Sequence, residues 1–325
     1  MKNLIGNLLL LVISVAVMLA IGEVASRIVS PISPGPSILD MDGNKQKISY
    51  IAANKKFRII TPDFDATTTI TKDGYRAPEV KGNPDTLFIG DSFTYGQGVK
   101  DDETFVALYC SKKQIECVNL AVPGASTLYE LDRLEYYLKT KKWSPNNVNL
   151  FFFTGNDFSD NVAAFNKREK GEPYEPGEVG AQAIPDEKSL TERIVETGLH
   201  YSNLLRVAYY KVLPMLREDK TATEASLNQA LDITQQEFIR LHKLSEQYAF
   251  NYQIFVLFTQ QEIEQGLYKQ LTDKLKVVSP VSIIPLGDVF KDNTADYYFP
   301  SDGHYSVKGN KELADYLYNL KTNTN

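Results

Sequence analysis

The sequence predicts an α/β fold in which helices cover both faces of a mainly parallel sheet. Short apolar runs that have the composition of buried strands alternate with longer segments of helical periodicity. This alternation is typical of parallel sheets, because each crossover between parallel strands needs a helix-length connection. Polar turn motifs follow the first three runs, which is where ligands bind in open sheets of this class. We therefore expect the chemistry of the protein in those turns.

The individual elements follow from these runs and periodicities. Strands are predicted at residues 86–89, 117–121, 149–153, 252–258 and 282–286. Helices are predicted at about 104–112, 127–141, 190–216, 224–249 and 307–320, with a further helix between the last two strands. A stretch rich in Glu, Lys, Gly and Pro at about 164–187 indicates an exposed loop. An alternating apolar pattern at about 48–70 indicates a short hairpin or irregular strands.

The N-terminal region, residues 1–30, is apolar over 4–21 and is predicted to be a transmembrane helix. A cleaved secretory signal is the alternative, although the residues before the candidate cleavage sites fit it poorly. Lys2 precedes the apolar run, so the positive-inside bias places the bulk of the chain on the extracytoplasmic side. Residues 31–83 are expected to form a proline-containing linker and an N-terminal extension, and 84–325 the main domain.

Composition excludes some classes of function. The chain has 35 Lys and Arg against 41 Asp and Glu, a net charge of −6, which argues against a nucleic-acid partner. The two cysteines, Cys110 and Cys117, are seven residues apart, and both a disulfide and two unpaired thiols remain open. No third or fourth ligand lies near them, so a metal site there is not expected.

Gly90-Asp91-Ser92 directly follows the first apolar run and is predicted to form a strand-to-helix turn. A serine in this position presents its hydroxyl at the sheet edge. Its backbone N–H lies at a helix N-terminus, where developing negative charge is stabilised. Asp-Ser before a helix is also a common capping sequence, which is the ordinary explanation for this tripeptide alone.

His304 is the candidate general base. The other two histidines, His200 and His242, lie in polar helical stretches where a surface position explains them. Asp302 precedes His304 by two residues, in a turn before the last helix, and can accept a hydrogen bond from one imidazole nitrogen. The second nitrogen is then available to take the proton of a serine hydroxyl. A helix-capping Asp302 beside a surface His304 is the alternative.

Two further turns supply hydrogen-bond donors. Gly124 follows the second strand and allows its backbone N–H to approach a ligand closely. Asn156 follows the third strand, and its side-chain amide can donate to an oxyanion. Together with the N–H of Ser92, these groups would form an oxyanion hole with three donors.

The four turns resemble the SGNH hydrolases, also called the GDSL lipase/esterase family, which are named for Ser, Gly, Asn and His in four sequence blocks. Gly90-Asp91-Ser92 matches the first block, Gly124 the second, Gly155-Asn156-Asp157 the third, and Asp302 with His304 the last. The resemblance covers about 84–165 and 250–320, and the segment 73–76 is similar to one that precedes the first block in membrane-anchored members. It implies a flavodoxin-like three-layer α/β/α sandwich and Ser-His-Asp acyl-ester chemistry that needs no cofactor or metal.

Two positions depart from the family pattern. Phe93 stands where the name of the family has Leu, which is an apolar exchange. One residue separates Asp302 from His304, where many members have two, and the shorter spacing is similar to that in polysaccharide acetyltransferase-like relatives. Asp296 is the alternative carboxylate for orienting the imidazole.

The resemblance implies a serine-dependent ester hydrolase acting on an acylated small molecule, lipid or glycan. An O-acyltransferase for an extracytoplasmic polysaccharide is the first alternative, because the same residues serve it when a sugar hydroxyl replaces water. A non-catalytic glycan-binding module with the same core is the second. A helical insertion at about 166–249 has no family counterpart, and we expect it to cover the strand ends.

Overall fold

The structure is a computed structural model that describes residues 2–32, 53–54, 56–172, 190–216 and 224–320. It begins with helix α1 (Lys2–Val29), which is followed by an antiparallel hairpin of β1 (Lys56–Ile60) and β2 (Asp65–Thr69). A parallel sheet is built from β3 (Thr86–Gly90), β4 (Cys117–Asn119), β5 (Asn147–Phe153), β6 (Asn251–Leu257) and β7 (Ile283–Pro285).

The helices of the main domain connect these strands and follow the last one. They are α2 (Ser92–Tyr95), α3 (Phe105–Lys113), α4 (Thr127–Lys141), α5 (Asp157–Glu169), α6 (Leu190–Tyr201), α7 (Asn203–Leu216), α8 (Glu224–Tyr248), α9 (Gln260–Glu264), α10 (Leu267–Val278), α11 (Gly287–Phe290), α12 (Thr294–Tyr297) and α13 (Val307–Asn319). A single turn of 3₁₀ helix, Asp101–Glu103, precedes α3.

The five parallel strands lie in the order β4-β3-β5-β6-β7. Numbered along the chain within this sheet, the order is 2-1-3-4-5, which is the flavodoxin-like arrangement. The first and third strands of the sheet, β3 and β5, are neighbours, with Gly90 opposite Phe151. The direction of winding reverses between them, and ligands of such sheets bind at this switch point.

Both faces of the sheet are covered, which explains why its strands are continuous apolar runs. Phe151 and Phe152 are consecutive on β5 and therefore point to opposite faces. Phe151 packs against Phe105 of α3, with ring centroids 4.9 Å apart. Phe152 packs against Phe158 of α5 and Phe238 of α8. The predicted three-layer α/β/α architecture is thereby confirmed.

Residues before the sheet are part of the same packing. Tyr75 is fully buried in the main hydrophobic core, where its ring contacts those of Tyr137 and Trp143. Arg76 pairs with Asn119 at the end of β4 through an isolated antiparallel bridge. The extension that we expected at 31–83 therefore packs on the domain where it is described, from residue 56 onward.

One expectation needs correction. The exposed loop predicted from residue 164 begins later, because α5 continues to Glu169; residues 173–189 lie outside the described part of the chain. Within the predicted insertion, α8 packs against α4, α5 and α10, and α7 packs against α1 and α6.

Candidate active site

The turns that follow β3, β4 and β5 lie side by side because the three strands are neighbours in the sheet. Past the end of β4, Leu120 N donates to Phe88 O at 2.8 Å and Val122 N donates to Gly90 O at 3.1 Å. These bonds hold the turn after β4 against the turn that carries Ser92. The residues predicted to form the site therefore reach one edge of the sheet.

Ser92 is the first residue of α2, at a turn that only a glycine can precede. Gly90 has φ +157°, and a Cβ there would lie 2.2 Å from Thr94 Oγ1. Asp91 caps the helix, since one of its carboxyl oxygens accepts a hydrogen bond from Phe93 N at 2.9 Å. The turn thus holds the backbone N–H of Ser92 at a helix start, and the residue is 9% exposed.

The structure brings Ser92, His304 and Asp302 together. The distance from His304 Nε2 to Ser92 Oγ is 2.7 Å, and that from His304 Nδ1 to Asp302 Oδ1 is 2.5 Å. Both are hydrogen-bond distances, so one imidazole nitrogen contacts the hydroxyl and the other contacts the carboxylate. Asp296, the alternative carboxylate, is instead exposed and paired with Lys308.

The turn that carries His304 is held by contacts from three sides. Its own backbone closes through Phe299 N to His304 O at 2.7 Å, and the imidazole packs on the Phe93 ring, with centroids 4.8 Å apart. Asp63, in the β1–β2 turn, accepts hydrogen bonds from Ser301 N and Asp302 N at 2.8 and 2.6 Å. Sequence reasoning did not identify Asp63, because no local pattern links a hairpin turn to a loop so far along the chain.

The charge on Asp302 is stabilised by its partners. Burial by itself would raise the pKa of this carboxyl, but hydrogen bonds from the His304 ring, the His304 backbone and the Gln97 side chain outweigh it. The net effect is a pKa below the ordinary value of Asp. Asp302 is therefore ionised at neutral pH and positioned to orient and stabilise an imidazolium at His304.

Gly124 and Asn156, the two further donors predicted from the sequence, lie in the turns after β4 and β5. Gly124 has φ +71°, a conformation that favours glycine, in a turn closed by Ala125 N donating to Val122 O at 3.0 Å. The amide of Asn156 is held from behind, since its Nδ2 donates to Asp160 Oδ2 at 2.8 Å. One amide hydrogen of Asn156 is used in this bond, which also fixes the direction in which the other amide hydrogen points.

Asp91 of the nucleophile turn belongs to a group of buried, mutually interacting acidic side chains; we call it the carboxyl cluster, and its members are Asp91, Glu130, Asp157 and Asp160. Within the described residues, neither carboxyl oxygen of Glu130 has a hydrogen-bond partner, and Asp157 Oδ1 has none. Burial, reinforced by mutual repulsion, raises the pKa of Glu130 and of Asp157 well above the ordinary values. Burial also raises the pKa of Asp91 to about 6 and that of Asp160 to about 7.

Arg76 explains why the segment 73–76 belongs to the site. Its side chain is fully buried and donates to the backbone oxygens of Tyr95, Gly96 and Val99 at 2.6 Å each. These oxygens follow the nucleophile helix, so the guanidinium holds the far side of the turn. An ion pair of 3.1 Å with Asp101 balances the buried charge.

The remaining sequence candidates are also located. Cys110, at the end of α3, and Cys117, at the start of β4, form a disulfide. In the described residues, no group of three or more His, Cys, Asp or Glu side chains is arranged to hold a metal ion. Of the residues outside these candidates, Tyr210 on α7 lies close enough to the site for the charges of Asp302 and Asp63 to help burial raise its pKa.

Comparison with known proteins gives one strong result and several weak ones. A family model described as GDSL-like Lipase/Acylhydrolase matches residues 87–317, well over half of the chain. No curated protein sequence matches. Among solved structures, a lipolytic protein of the G-D-S-L family from Desulfitobacterium hafniense DCB-2 is 14% identical, with a TM-score of 0.39 over 73% of this chain and 98% of that one.

Two other solved structures are similar at the same level. A GDSL-like lipase from Parabacteroides merdae is 14% identical, with a TM-score of 0.35 over 73% of this chain and 96% of that one. An acetylxylan esterase from Geobacillus stearothermophilus is 14% identical, with a TM-score of 0.27 over 74% and 94%. The match to the family model over 87–317, on a five-stranded parallel sheet, shows that this chain belongs to the GDSL-like lipase/acylhydrolase family.

Proposed function

We propose that the protein is a serine esterase that cleaves acyl esters through Ser92, His304 and Asp302. One observation carries the proposal: the His304 ring has one nitrogen 2.7 Å from Ser92 Oγ and the other 2.5 Å from Asp302 Oδ1. This is the geometry in which an imidazole removes a hydroxyl proton while a carboxylate fixes its tautomer. Membership of an acylhydrolase family supports the same reaction class.

In the acylation half-reaction, Ser92 Oγ attacks the ester carbonyl carbon as its proton passes to His304 Nε2. The carbonyl electron pair moves to oxygen, and the resulting oxyanion is held by the N–H groups of Ser92 and Gly124 and by the Asn156 amide. Collapse of this intermediate restores the carbonyl and breaks the bond to the alcohol oxygen. His304 returns the proton to that oxygen, which leaves an acyl group on Ser92.

In the second half-reaction, His304 removes a proton from water and the resulting nucleophile attacks the acyl-serine. The acid leaves and Ser92 recovers its proton from His304. If a sugar hydroxyl attacks in place of water, the same steps transfer the acyl group to a glycan. The O-acyltransferase alternative therefore uses these residues unchanged, and it is distinguished by the product.

Covalent labelling provides the direct test. A fluorophosphonate probe is expected to modify the wild-type protein at Ser92, mapped by peptide mass spectrometry, and to leave Ser92→Ala unlabelled. Release of p-nitrophenol from p-nitrophenyl acetate should disappear in the same variant. Equal slow release by both proteins would support the non-catalytic binding module instead. Adding an oligosaccharide and searching for its ester then separates transfer from hydrolysis.

We also propose that α1 is a retained anchor that holds the domain on the extracytoplasmic side. Residues Ile5–Val29 form a helix that is long and apolar enough to cross a membrane, with mean hydropathy 2.6. Near its end, Glu23 accepts hydrogen bonds from Asn203 N and Leu204 N, the first N–H groups of α7, at 2.9 and 3.0 Å. Cleavage of a signal beyond Glu23 would remove this acceptor from a helix start that needs one, which favours retention.

A further inference from the structure

The helix pair α6–α7 is joined to the end of α1 by more than the Glu23 contact. Arg27 Nη2 donates to Tyr201 O at 2.8 Å, between the two helices of the pair. Arg206 of α7 donates to Ile32 O at 2.7 Å, and Ile32 N donates to Asn203 Oδ1 at the same distance. The pair is therefore placed at the level where the apolar helix leaves the membrane.

Helix α7 has one face turned inward and one turned outward. Asn203 and Arg206 are buried against α1 and the residues that follow it. Leu205 and Tyr209 are four residues apart, which places them on one side of the helix, and they are 49% and 41% exposed. Val195 and Tyr201 of α6 are 50% and 71% exposed, so both helices of the pair present apolar or aromatic side chains outward, beside the exposed polar residues Thr197 and His200.

This outward face continues the apolar surface of α1. A Cβ at Gly22 would lie 3.2 Å from Leu204, so the two helices touch at that point. The exposed apolar side chains of α1 extend past Gly22 to Ile28 and Val29. A surface with tyrosines beside the end of an apolar spanning helix matches the composition of the interface between lipid headgroups and acyl chains.

We infer that the outward face of α6–α7, formed by Val195, Tyr201, Leu205 and Tyr209, lies in the lipid headgroup region. The inference rests on the proposed retention of α1. The surface that contacts this face is a lipid bilayer, because α1 places the bilayer next to the α6–α7 helices. The charges of Glu23 and Arg27 at this level are paired with each other at 2.7 Å and with α6–α7, as charges near hydrocarbon require.

The arrangement has a consequence for the substrate. Tyr210 follows Tyr209 on α7, and the charge of Asp302 helps burial to raise the pKa of Tyr210, so this part of the helix lies on the side of the active-site turn. The active site is then held close to the bilayer. Esters carried at the membrane surface, such as acylated lipid-linked molecules, would reach Ser92 without leaving the lipid.

Depth measurement in liposomes tests the inference directly. The only two cysteines form a disulfide, so a single introduced cysteine is the sole free thiol for a fluorophore whose emission reports polarity. Full-length Leu205→Cys and Tyr209→Cys proteins are labelled and reconstituted in phosphatidylcholine–phosphatidylglycerol liposomes. We expect a blue-shifted emission at both positions and its loss when lipids with a quencher near the headgroup are included.

Two control positions define the signals expected deep in the bilayer and in water. Val17→Cys, in the middle of α1, should be quenched by lipids labelled deep in the acyl chain. Val277→Cys, an 83% exposed apolar position at the end of α10, should report water and escape quenching. Intact mass of the reconstituted protein shows whether α1 is retained, and probe labelling of Ser92 reports the esterase proposal separately.

Three outcomes would overturn the inference. Emission at 205 and 209 equal to that at 277 places the pair in water. A blue shift without lipid quenching shows that another protein surface covers it. Loss of α1 from the reconstituted protein removes the anchor on which the placement depends. Inactive protein with lipid-quenched labels would instead contradict only the esterase proposal.

Discussion

Asp302 and the carboxyl cluster are acidic groups near the nucleophile turn, and they differ in how their charge is balanced. Asp302 faces the imidazole of His304 and receives hydrogen bonds from three sources, which hold its pKa below the ordinary value despite burial. Glu130 is 2% exposed and, within the described residues, its carboxyl oxygens have no partner, so burial raises its pKa well above the ordinary value. Partners, rather than depth, decide whether a buried carboxyl stays ionised.

The comparison assigns different tasks to the two sets. An ionised Asp302 can stabilise positive charge on His304 during the reaction. The carboxyl cluster contacts the proposed oxyanion donors at two points, through the hydrogen bond from Asn156 Nδ2 to Asp160 and through the bond of 3.5 Å from Ser92 Oγ to Asp91 Oδ2. Four substitutions test this division, one at a time.

The largest effect is expected from Asp302→Asn. Neutralising the carboxylate keeps its shape but favours the wrong imidazole tautomer, so kcat should fall by roughly 10⁴-fold. Asp296→Asn is the matched control, because Asp296 is exposed and paired only with Lys308 in an ion pair of little energetic value. Steady-state esterase kinetics of both variants is the measurement. A large loss of kcat in Asp296→Asn, with Asp302→Asn still active, would show that Asp296 is the carboxylate that orients His304.

Removal of the Asn156 amide should have the next largest effect. Asn156→Ala deletes one donor to the oxyanion, and kcat is expected to fall by about 10²–10³-fold with a smaller change in KM. Ser159→Ala serves as a control on the same helix, because Ser159 is exposed and bonds only to the Asn156 backbone oxygen among its described contacts. Unchanged kcat in Asn156→Ala would remove this residue from the proposed hole.

A stability measurement tests the carboxyl cluster. A raised pKa in the fold means that Glu130 binds a proton there more tightly than in the unfolded chain, so stability is lost as pH rises above about 4.5. Glu130→Gln carries no charge to bury. It should match the wild type in stability at pH 4 and be more stable than the wild type at pH 8.

Glu135→Gln, on the same helix, is the matched variant, and we expect it to change stability at pH 8 in the opposite direction to Glu130→Gln. Hydrogen bonds from Lys139 and Arg240 outweigh the effect of burial and lower the pKa of Glu135, so its charge contributes stability that is present above about pH 4.5 and lost in acid. Urea unfolding at both pH values is the measurement. If Glu130→Gln lowers stability at pH 8 as Glu135→Gln does, Glu130 is ionised and partnered in solution.

The smallest effect is expected at Asp160, which has a pKa raised to about 7 by burial. Above that pH the ionised carboxyl accepts more strongly from Asn156 Nδ2 and fixes the amide. Asp160→Asn should therefore match the wild type near pH 6 and be slower above pH 8 by about fivefold, or roughly 1 kcal/mol. The ratio of the two kcat profiles against pH is the readout; a constant ratio would make Asp160 purely structural.

Much of the fold was predictable because its signals are local. Apolar runs marked the five parallel strands, and the breaks after three of them marked the turns that carry Ser92, Gly124 and Asn156. Helix α5 was missed beyond the Asn156 turn because Asp157, Asp160 and Asn161 have the composition of a loop. These polar residues are buried in the structure, so the usual rule that polar stretches lie outside fails there.

Several parts of the site had no signal in the chain. Asp63 holds the turn of Asp302 from the hairpin, and Arg76 holds the loop after the nucleophile helix from the extension. The pairing of α6–α7 with α1 joins residues more than 170 positions apart, as in the bond of Arg27 to Tyr201. Contacts of this kind depend on how finished elements pack, and composition or periodicity does not encode them.

The sequence by itself determined the class of fold, the apolar N-terminal helix and the residue types that support acyl-ester chemistry, because strand runs, turn residues and spacing express local conformational preference. Only the tertiary structure decided that Asp302 rather than Asp296 faces His304, and that the carboxyl of Glu130 is buried without a hydrogen-bond partner among the described residues. Such choices depend on which side chains meet in space and how much water surrounds them. A one-dimensional chain does not contain that information until it is folded.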